Sequence, residues 1–353
     1  MKRQLDSIET LRGIAAILVL LHHTTRIFVK DYNTEFLYGF FNPGYLGVDV
    51  FFVLSGFIIF YIHKSDIGKP DKLKPFVLKR VIRVYPVYWI IALTLIPIYL
   101  AVPSFGEPHY SNPVYLIKSL LLIPQELQPI LGVAWSLTHE MFFYLVFALL
   151  ILIKPKYTFP VVVSWMLITF VMLFINPFEE FLLINFIFSE YNIEFLLGCS
   201  VAYIFSKRKI SGSLPLTIGI ISFFTFWVLN EYFSFEISRI VMGGFPAALM
   251  ILGCANLDFT RKPNISPIFK YLGSASYSIY LTHPIFLAAS VKIVGPLDLF
   301  NLLGIFTIPV IALLAIVAGC IFHSIIEKPI LNYCRKRFLP SRKTTHHETK
   351  AVI

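Results

Sequence analysis

A chain of 353 residues with 57% hydrophobic side chains, 16% aromatic and only 14% charged is too apolar for a soluble globular domain. No hydrophilic stretch is long enough to build a separate soluble domain, so a single membrane domain over residues 1–333 with a basic tail over 334–353 is expected. The formal charge of +10 would suit nucleic acid in a soluble protein, but its distribution along the chain excludes that partner.

Apolar runs predict about ten transmembrane helices near 8–29, 45–63, 84–103, 132–153, 157–176, 191–206, 214–233, 240–257, 274–294 and 302–325. Every second connection is basic: Lys2 and Arg3; Lys64, Lys69, Lys72, Lys74, Lys79, Arg80 and Arg83; Lys154 and Lys156; Lys207, Arg208 and Lys209; Arg261, Lys262 and Lys270; then the tail. The intervening connections carry Asp31, Glu35, Glu107, Glu179, Glu180, Glu190, Glu231, Glu236 and Asp298. This alternation follows the positive-inside rule and predicts an all-α, polytopic protein with both termini cytoplasmic. Cys199, Cys254, Cys320 and Cys334 are isolated, with no CxxC or Cys/His ligand spacing, so neither a disulfide framework nor a metal site is expected.

The first span, LRGIAAILVLLHHTTRIFV, is too long for a cleavable signal, lacks a small-residue cleavage pattern and is followed at once by another span. It holds Arg12 and His23, and ionisable groups at such depth are expensive and usually functional. Eleven positions separate them; at about 100° per residue His23 returns to within roughly 20° of Arg12, whereas His22 points about 80° away. At about 1.5 Å per residue His23 lies some 16 Å deeper, near the midplane if Arg12 marks the cytoplasmic edge.

In the second span, GYLGVDVFFVLSGFII, Asp49 falls in the outer third. A carboxylate there needs a partner or water; an ion pair that fixes the helix and a catalytic role both remain open. Gly47 and Gly56 suit close helix packing. In KRVIRVYPVYW, Arg80 and Arg83 stand at i,i+3 on one face. Two guanidiniums so placed suit a phosphate, either of a soluble ligand or of a lipid headgroup, while Tyr85, Tyr88 and Trp89 read as interfacial aromatics. Residues 113–124 and 181–189 are apolar but short, and either spanning or interfacial placement fits them.

The fourth span, GVAWSLTHEMFFYLVF, puts Ser136, Glu140 and Tyr144 on one face with Glu140 near the middle, and turns His139 about 100° away. Glu140 is a candidate to orient a histidine or to make a structural hydrogen bond. The ninth span, LGSASYSIYLTHPIF, carries Tyr277, Tyr280 and His283 at successive i+3 positions, with Pro284 loosening the helix beside them. His23, Glu140 and His283 are thus expected at comparable depth on three helices. Glu327 and Lys328 precede Pro329 at the end of the last span, where a cytoplasmic ion pair is expected.

Taken in order, LRGIAAILVLLHH, GVDVFFVLSGFII, KRVIRVYPVYW, WSLTHEMFFY, LGSASYSIYLTH and the terminal EKP resemble the acyltransferase type 3 family of bacterial membrane acyltransferases, over about residues 8 to 330. The resemblance implies a bundle of about ten helices that moves an acyl group, commonly acetyl, from cytoplasmic acyl-CoA to a hydroxyl of an envelope or exported carbohydrate. It selects Arg12 and His23 for the family's arginine-histidine motif and Arg80 and Arg83 for its double arginine. Some relatives carry a further extracytoplasmic esterase-like domain, which is not expected here, and His139 stands where a smaller or apolar residue would be expected.

On that resemblance, Arg80 and Arg83, assisted by Arg12, are expected to hold the phosphates of acyl-CoA, and the pantetheine arm to reach inward to His23. His23 would act as general base, oriented by Glu140 or His283, with Tyr280, Ser136 or a backbone amide as oxyanion donor; an acyl-histidine route stays open. Asp49 is a supporting candidate. Acyl-CoA is thus a donor substrate rather than a resident cofactor, the acceptor is a carbohydrate or glycolipid in a lipid bilayer, and monomer or homodimer is left open. The rival reading is a proton-coupled saccharide exporter, for which a midplane His, Glu and Asp cluster is also suited.

Overall fold

The computed structural model describes residues 5–339 apart from 176, 179, 209, 234–236, 262 and 295–303. Lys2, Arg3, Glu179, Lys209, Glu236, Lys262, Asp298 and the tail beyond Leu339 lie outside the described residues. Within them there are helices and no strand, as expected where every backbone polar group in the hydrocarbon must be satisfied inside its own segment.

The ten apolar runs appear as α1 (Asp6–Tyr32), α2 (Gly47–His63), α3 (Leu73–Ala101), α5 (Trp135–Leu152), α6 (Pro155–Met172), α8 (Glu190–Lys207), α9 (Ser213–Phe233), α10 (Phe245–Thr260), α11 (Pro267–Val294) and α12 (Thr307–Phe322). Among the described residues, nine helical stretches are long and apolar enough to cross a membrane. The 28-residue α11 covers the predicted ninth span, and at about 1.5 Å per residue it exceeds the ~30 Å hydrocarbon thickness. The two ambiguous pieces are short helices, α4 (Pro113–Leu120) and α7 (Leu182–Ile187), which at eight and six residues cannot span. A last helix, α13 (Lys328–Phe338), carries Arg335, Lys336 and Arg337 in its final turn, where cations meet the negative end of the helix dipole. The protein is a multi-pass membrane protein.

The chain divides into two compact units, residues 1–61 with 197–325 and residues 62–196 with 326–348. In the first, α1 is packed on two sides. One side, with Leu5, Ile8, Leu11 and Ala15, joins Val50, Val53, Leu54 and Phe57 of α2, Phe223 and Trp227 of α9, and Ala247 and Ile251 of α10. The other, with Ala16, Leu20 and Phe28, packs against Ala275, Ile279 and Leu287 of α11 and Ile308, Ile311 and Ala315 of α12. Small residues let α1 and α11 approach closely: a Cβ on Gly13 would stand 2.8 Å from the Gly273 nitrogen, and one on Gly273 would strike the Glu9 carbonyl oxygen. Gly273→Ala is therefore expected to force these helices apart, lowering stability by about 1–3 kcal/mol. Thermal unfolding of the full chain in detergent measures this; an unchanged transition would contradict the close packing.

In the second unit, α3 packs on α5 and α13. The phenol of Tyr88, the indole of Trp89 and the phenol of Tyr85 donate to the carbonyls of Ser119, Leu120 and Leu121 at 2.6, 2.8 and 2.9 Å. The Ser119 carbonyl also accepts from the backbone N–H of Leu122 at 3.1 Å; carbonyls at a helix end need such outside donors, and the three aromatics of α3 supply them and hold α4. Only 6% of the apolar window of α6 is buried, against 78% for α10. An apolar helix so exposed is a lipid-facing helix.

Candidate active site

Two contacts tie α1 to α11. Near the start of α1, the Arg12 guanidinium gives Nε and Nη2 to the Gly273 carbonyl at 3.0 and 2.7 Å. Further along, His283 Nε2 lies 3.3 Å from His23 Nδ1, with ring centroids 5.0 Å apart. The sequence separations are 261 and 260, so both helices advance together and α1 and α11 run parallel. They enter the membrane from the same side, as a first and a ninth span should. At its first turn α1 is anchored again: Ser7 gives its backbone N and its Oγ to buried Asp258 of α10, at 3.0 and 2.6 Å to Oδ1, and Asp6 pairs with Lys270 at 2.5 Å. Arg12 thus fixes the register in which His23 meets His283.

The hydrogen-bond partners assign the imidazole protons. His283 Nδ1 faces the Ile279 carbonyl at 3.2 Å and His23 Nδ1 faces the Val19 carbonyl at 2.9 Å. A carbonyl only accepts, so each neutral ring carries its proton on Nδ1. His283 Nε2 then presents a lone pair, and His23 Nδ1–H is shared between Val19 and His283. The lone pair of His23 consequently sits on Nε2. His283 is fully buried, whereas His23 retains partial exposure. This is the arrangement of a general base whose far nitrogen is held by a buried acceptor, the role a carboxylate fills in hydrolytic triads.

His22 stands edge-on to His23 with ring centroids 5.1 Å apart, but its hydrogen bond goes elsewhere. Its Nδ1 lies 2.5 Å from the Asn42 carbonyl, and its ring meets Tyr45 edge-on. Tyr280 packs between Phe51 and His283, with centroids 5.6 and 5.9 Å away. Asp49 is fully buried and forms a two-pronged ion pair with Arg239, Nε to Oδ1 at 2.7 Å and Nη2 to Oδ2 at 2.8 Å. The Arg239 guanidinium also lies 5.2 Å from the centre of the Tyr45 ring. Arg239 directly precedes the π-helical turn Ile240–Gly244. This pair belongs to helix placement: a Cβ on Gly243 would come within 2.9 Å of the Asp49 Cβ, so α2 meets that turn at backbone distance.

Glu140, Ser136, Arg80 and Arg83 belong to the second unit. Glu140 accepts a hydrogen bond from the Tyr144 hydroxyl one turn on, and Ser136 Oγ donates to Val133 O at 3.0 Å. The Arg80 guanidinium lies over the Tyr144 ring at 5.5 Å and the Phe76 ring at 5.8 Å. Its Nη2 meets His63 Nε2 at 3.4 Å, and His63 Nδ1 donates to Asp66 at 2.7 Å. Arg83 pairs with Glu327 at 3.3 Å, so the acidic end of the predicted terminal pair is bonded to the double arginine. No group of three or more His, Cys, Asp or Glu residues suited to a metal occurs among the described residues.

Of the predicted residues, the structure therefore brings together His23 with His283, Tyr280 beside them, and Arg12 on the same helix pair. Glu140 receives the hydroxyl of Tyr144 on its own helix. Arg239, His63 and Asp66 escaped the sequence reading. His63 and Asp66 were visible as an i,i+3 pair at the end of a span, and Arg239 as a cation in an otherwise acidic connection.

A family profile described as an acyltransferase domain matches residues 5–325. The chain is 26% identical to the exopolysaccharide production protein ExoZ of Rhizobium meliloti over 84% of this chain and 92% of that protein. It is 25% identical to the peptidoglycan O-acetyltransferase OatA of Listeria monocytogenes over 80% of this chain and 49% of the relative. It is 27% identical to the O-acetyltransferase OatA of Staphylococcus aureus over 99% of this chain and 61% of the relative. The chain thus spans about half the length of the Listeria protein and somewhat more of the Staphylococcus one. No solved structure matches it.

Proposed function

Because the chain belongs to the acyltransferase family whose domain covers residues 5–325, we propose that it moves an acyl group, acetyl first among candidates, from acyl-CoA to a hydroxyl of a membrane-associated carbohydrate. The observation that carries this reading is the His23–His283 contact at 3.3 Å, which leaves the His23 Nε2 lone pair as the available base. The names of the relatives, which specify exopolysaccharide production and O-acetylation, support a carbohydrate acceptor and an acetyl donor.

In the proposed reaction His23 Nε2 takes the proton of the acceptor hydroxyl as its oxygen attacks the thioester carbonyl carbon. The tetrahedral intermediate collapses with loss of the C–S bond, and the thiolate recovers the proton from His23 to leave as CoA. During the proton's stay on His23, the bond from Nδ1–H to His283 Nε2 becomes charge-assisted and strengthens. Arg12 acts through the helix register rather than on the substrate. Arg80 and Arg83 are the candidate cations for the phosphates of the donor, and the alternation of basic connections supports a cytoplasmic location of both termini.

The donor half of this reading has a direct test. Free CoA at about 100 times its dissociation constant should stabilise the purified protein by about 2.7 kcal/mol, since it binds the native state alone. The readout is the unfolding transition in detergent with and without CoA; no shift at any accessible concentration would overturn acyl-CoA as the donor.

A further inference from the structure

We infer that within the arginine pair Arg80 is the phosphate-binding residue, and that His63, itself held by Asp66, is the positioning residue for its guanidinium. The inference rests on the acyl-CoA reading above and concerns the second unit alone.

The two arginines stand one turn apart but in different electrostatic surroundings. Arg83 faces Glu327, a carboxylate only 1% exposed, at 3.3 Å. A carboxylate so buried requires a cation, so Arg83 is engaged in holding the start of α13 to α3. Arg80 makes no ion pair among the described residues, and its Nε is buried without a hydrogen-bond acceptor. Its neighbours are two aromatic rings, Phe76 and Tyr144, and the imidazole of His63. Glu140 receives the hydroxyl of Tyr144, one of those two rings. A partly buried guanidinium that is enclosed by rings and leaves a buried donor unmet is complementary to an anion with several oxygens.

The orientation of that guanidinium follows from His63. Arginine can only donate, so the His63 nitrogen facing Arg80 must carry a lone pair. The proton then lies on Nδ1, where Asp66 accepts it at 2.7 Å. His63 is 3% exposed and its ring is set edge-on against Phe76 at 5.0 Å, so the imidazole has one packed orientation. Asp66 selects the tautomer, the tautomer presents an acceptor, and the acceptor holds one edge of Arg80 while its remaining donors serve the ligand. Phosphate is the chemistry such a planar fork recognises. It could come from the nucleotide part of the donor or from a lipid headgroup, and the donor is the source proposed.

The test uses the full chain purified in a phosphate-free maltoside detergent, with CoA as the probe and the dissociation constant as the readout. Arg80→Ala should weaken CoA binding by about tenfold or more, the loss of one or two charge-assisted hydrogen bonds. His63→Ala should weaken it by about tenfold, whereas His63→Gln, whose amide oxygen can still accept from Arg80, should stay within about threefold of wild type. Rescue by glutamine separates positioning from simple packing, and the ligand-free unfolding temperature identifies any variant that has lost its fold. Because Arg83→Met would strand Glu327, it is paired with Glu327→Gln, and this double variant should retain CoA binding.

Wild-type binding with undiminished affinity in both Arg80→Ala and His63→Ala would overturn this inference while leaving the donor reading intact. Loss of binding in the Arg83→Met/Glu327→Gln variant with retention in Arg80→Ala would overturn it by assigning the phosphate to Arg83. If wild type fails to bind CoA, the donor reading itself falls. If phosphatidylglycerol vesicles bind through Arg80 in that case, the anion is a lipid headgroup.

Discussion

His23→Ala is expected to reduce acyl transfer by about 10²–10⁴-fold at unchanged protein level, the range that a positioned general base contributes. Two neighbours give this expectation its specificity. His22→Ala should cost far less, because the His22 ring is bonded to Asn42 and packed on Tyr45, although it is adjacent in sequence and comparably accessible. His283→Phe should fall between them, since it removes the acceptor that holds His23 Nδ1–H at 3.3 Å but leaves the bond to Val19. Initial rates with a labelled acyl donor, compared at matched protein amounts in membranes, measure all three. Equal losses for His22 and His23 would contradict the assignment of the base to His23. A labelled acyl group trapped on His23 after acid quench would instead make the same nitrogen a nucleophile.

Arg239→Met is expected to be the most damaging substitution for stability, lowering it by about 3–5 kcal/mol, because it abandons a fully buried carboxylate. Asp49 is 0% exposed and receives both prongs of the Arg239 guanidinium at 2.7 and 2.8 Å. The pair joins α2 to the π-helical turn before α10, the most buried of the long apolar helices. Asp49→Asn together with Arg239→Met should recover much of the loss, since no buried charge then remains unpaired. The double-mutant cycle, read from thermal unfolding in detergent, should show strong coupling. Additive losses would mean that the two side chains do not stabilise each other.

The long elements were legible in the sequence because the bilayer imposes their length and composition. Each apolar run of about 20 residues became a helix, and α4 and α7, too short for the hydrocarbon, became short helices in the connections between longer ones. The choice of His23 over His22 was legible too, because helical periodicity fixes which residues share a face with Arg12. What periodicity yields is height along one helix and direction around it; it does not reveal which helix lies opposite. His23 and His283 were expected at similar depth, but their contact depends on the approach of Gly13 and Gly273 and on the Arg12 bond to the Gly273 carbonyl. Glu140 was expected at that depth too, and in the structure it accepts a hydrogen bond from Tyr144 on its own helix. The partner of Asp49 stands 190 positions away beside a π-helical turn, an irregularity that 3.6-residue periodicity does not encode. The capping of α4 by Tyr85, Tyr88 and Trp89 was hidden for a similar reason, because interfacial aromatics and aromatic caps have the same composition.

The central claim is that this chain esterifies a carbohydrate hydroxyl with an acyl group taken from CoA at His23. The direct measurement follows radiolabel from acetyl-CoA into the envelope glycans of membranes bearing either the wild-type chain or His23→Ala. The expected result is alkali-labile label on carbohydrate with the wild type and loss of nearly all of it with the variant. Equal labelling by the two, or no labelled ester from the wild type, would contradict the account.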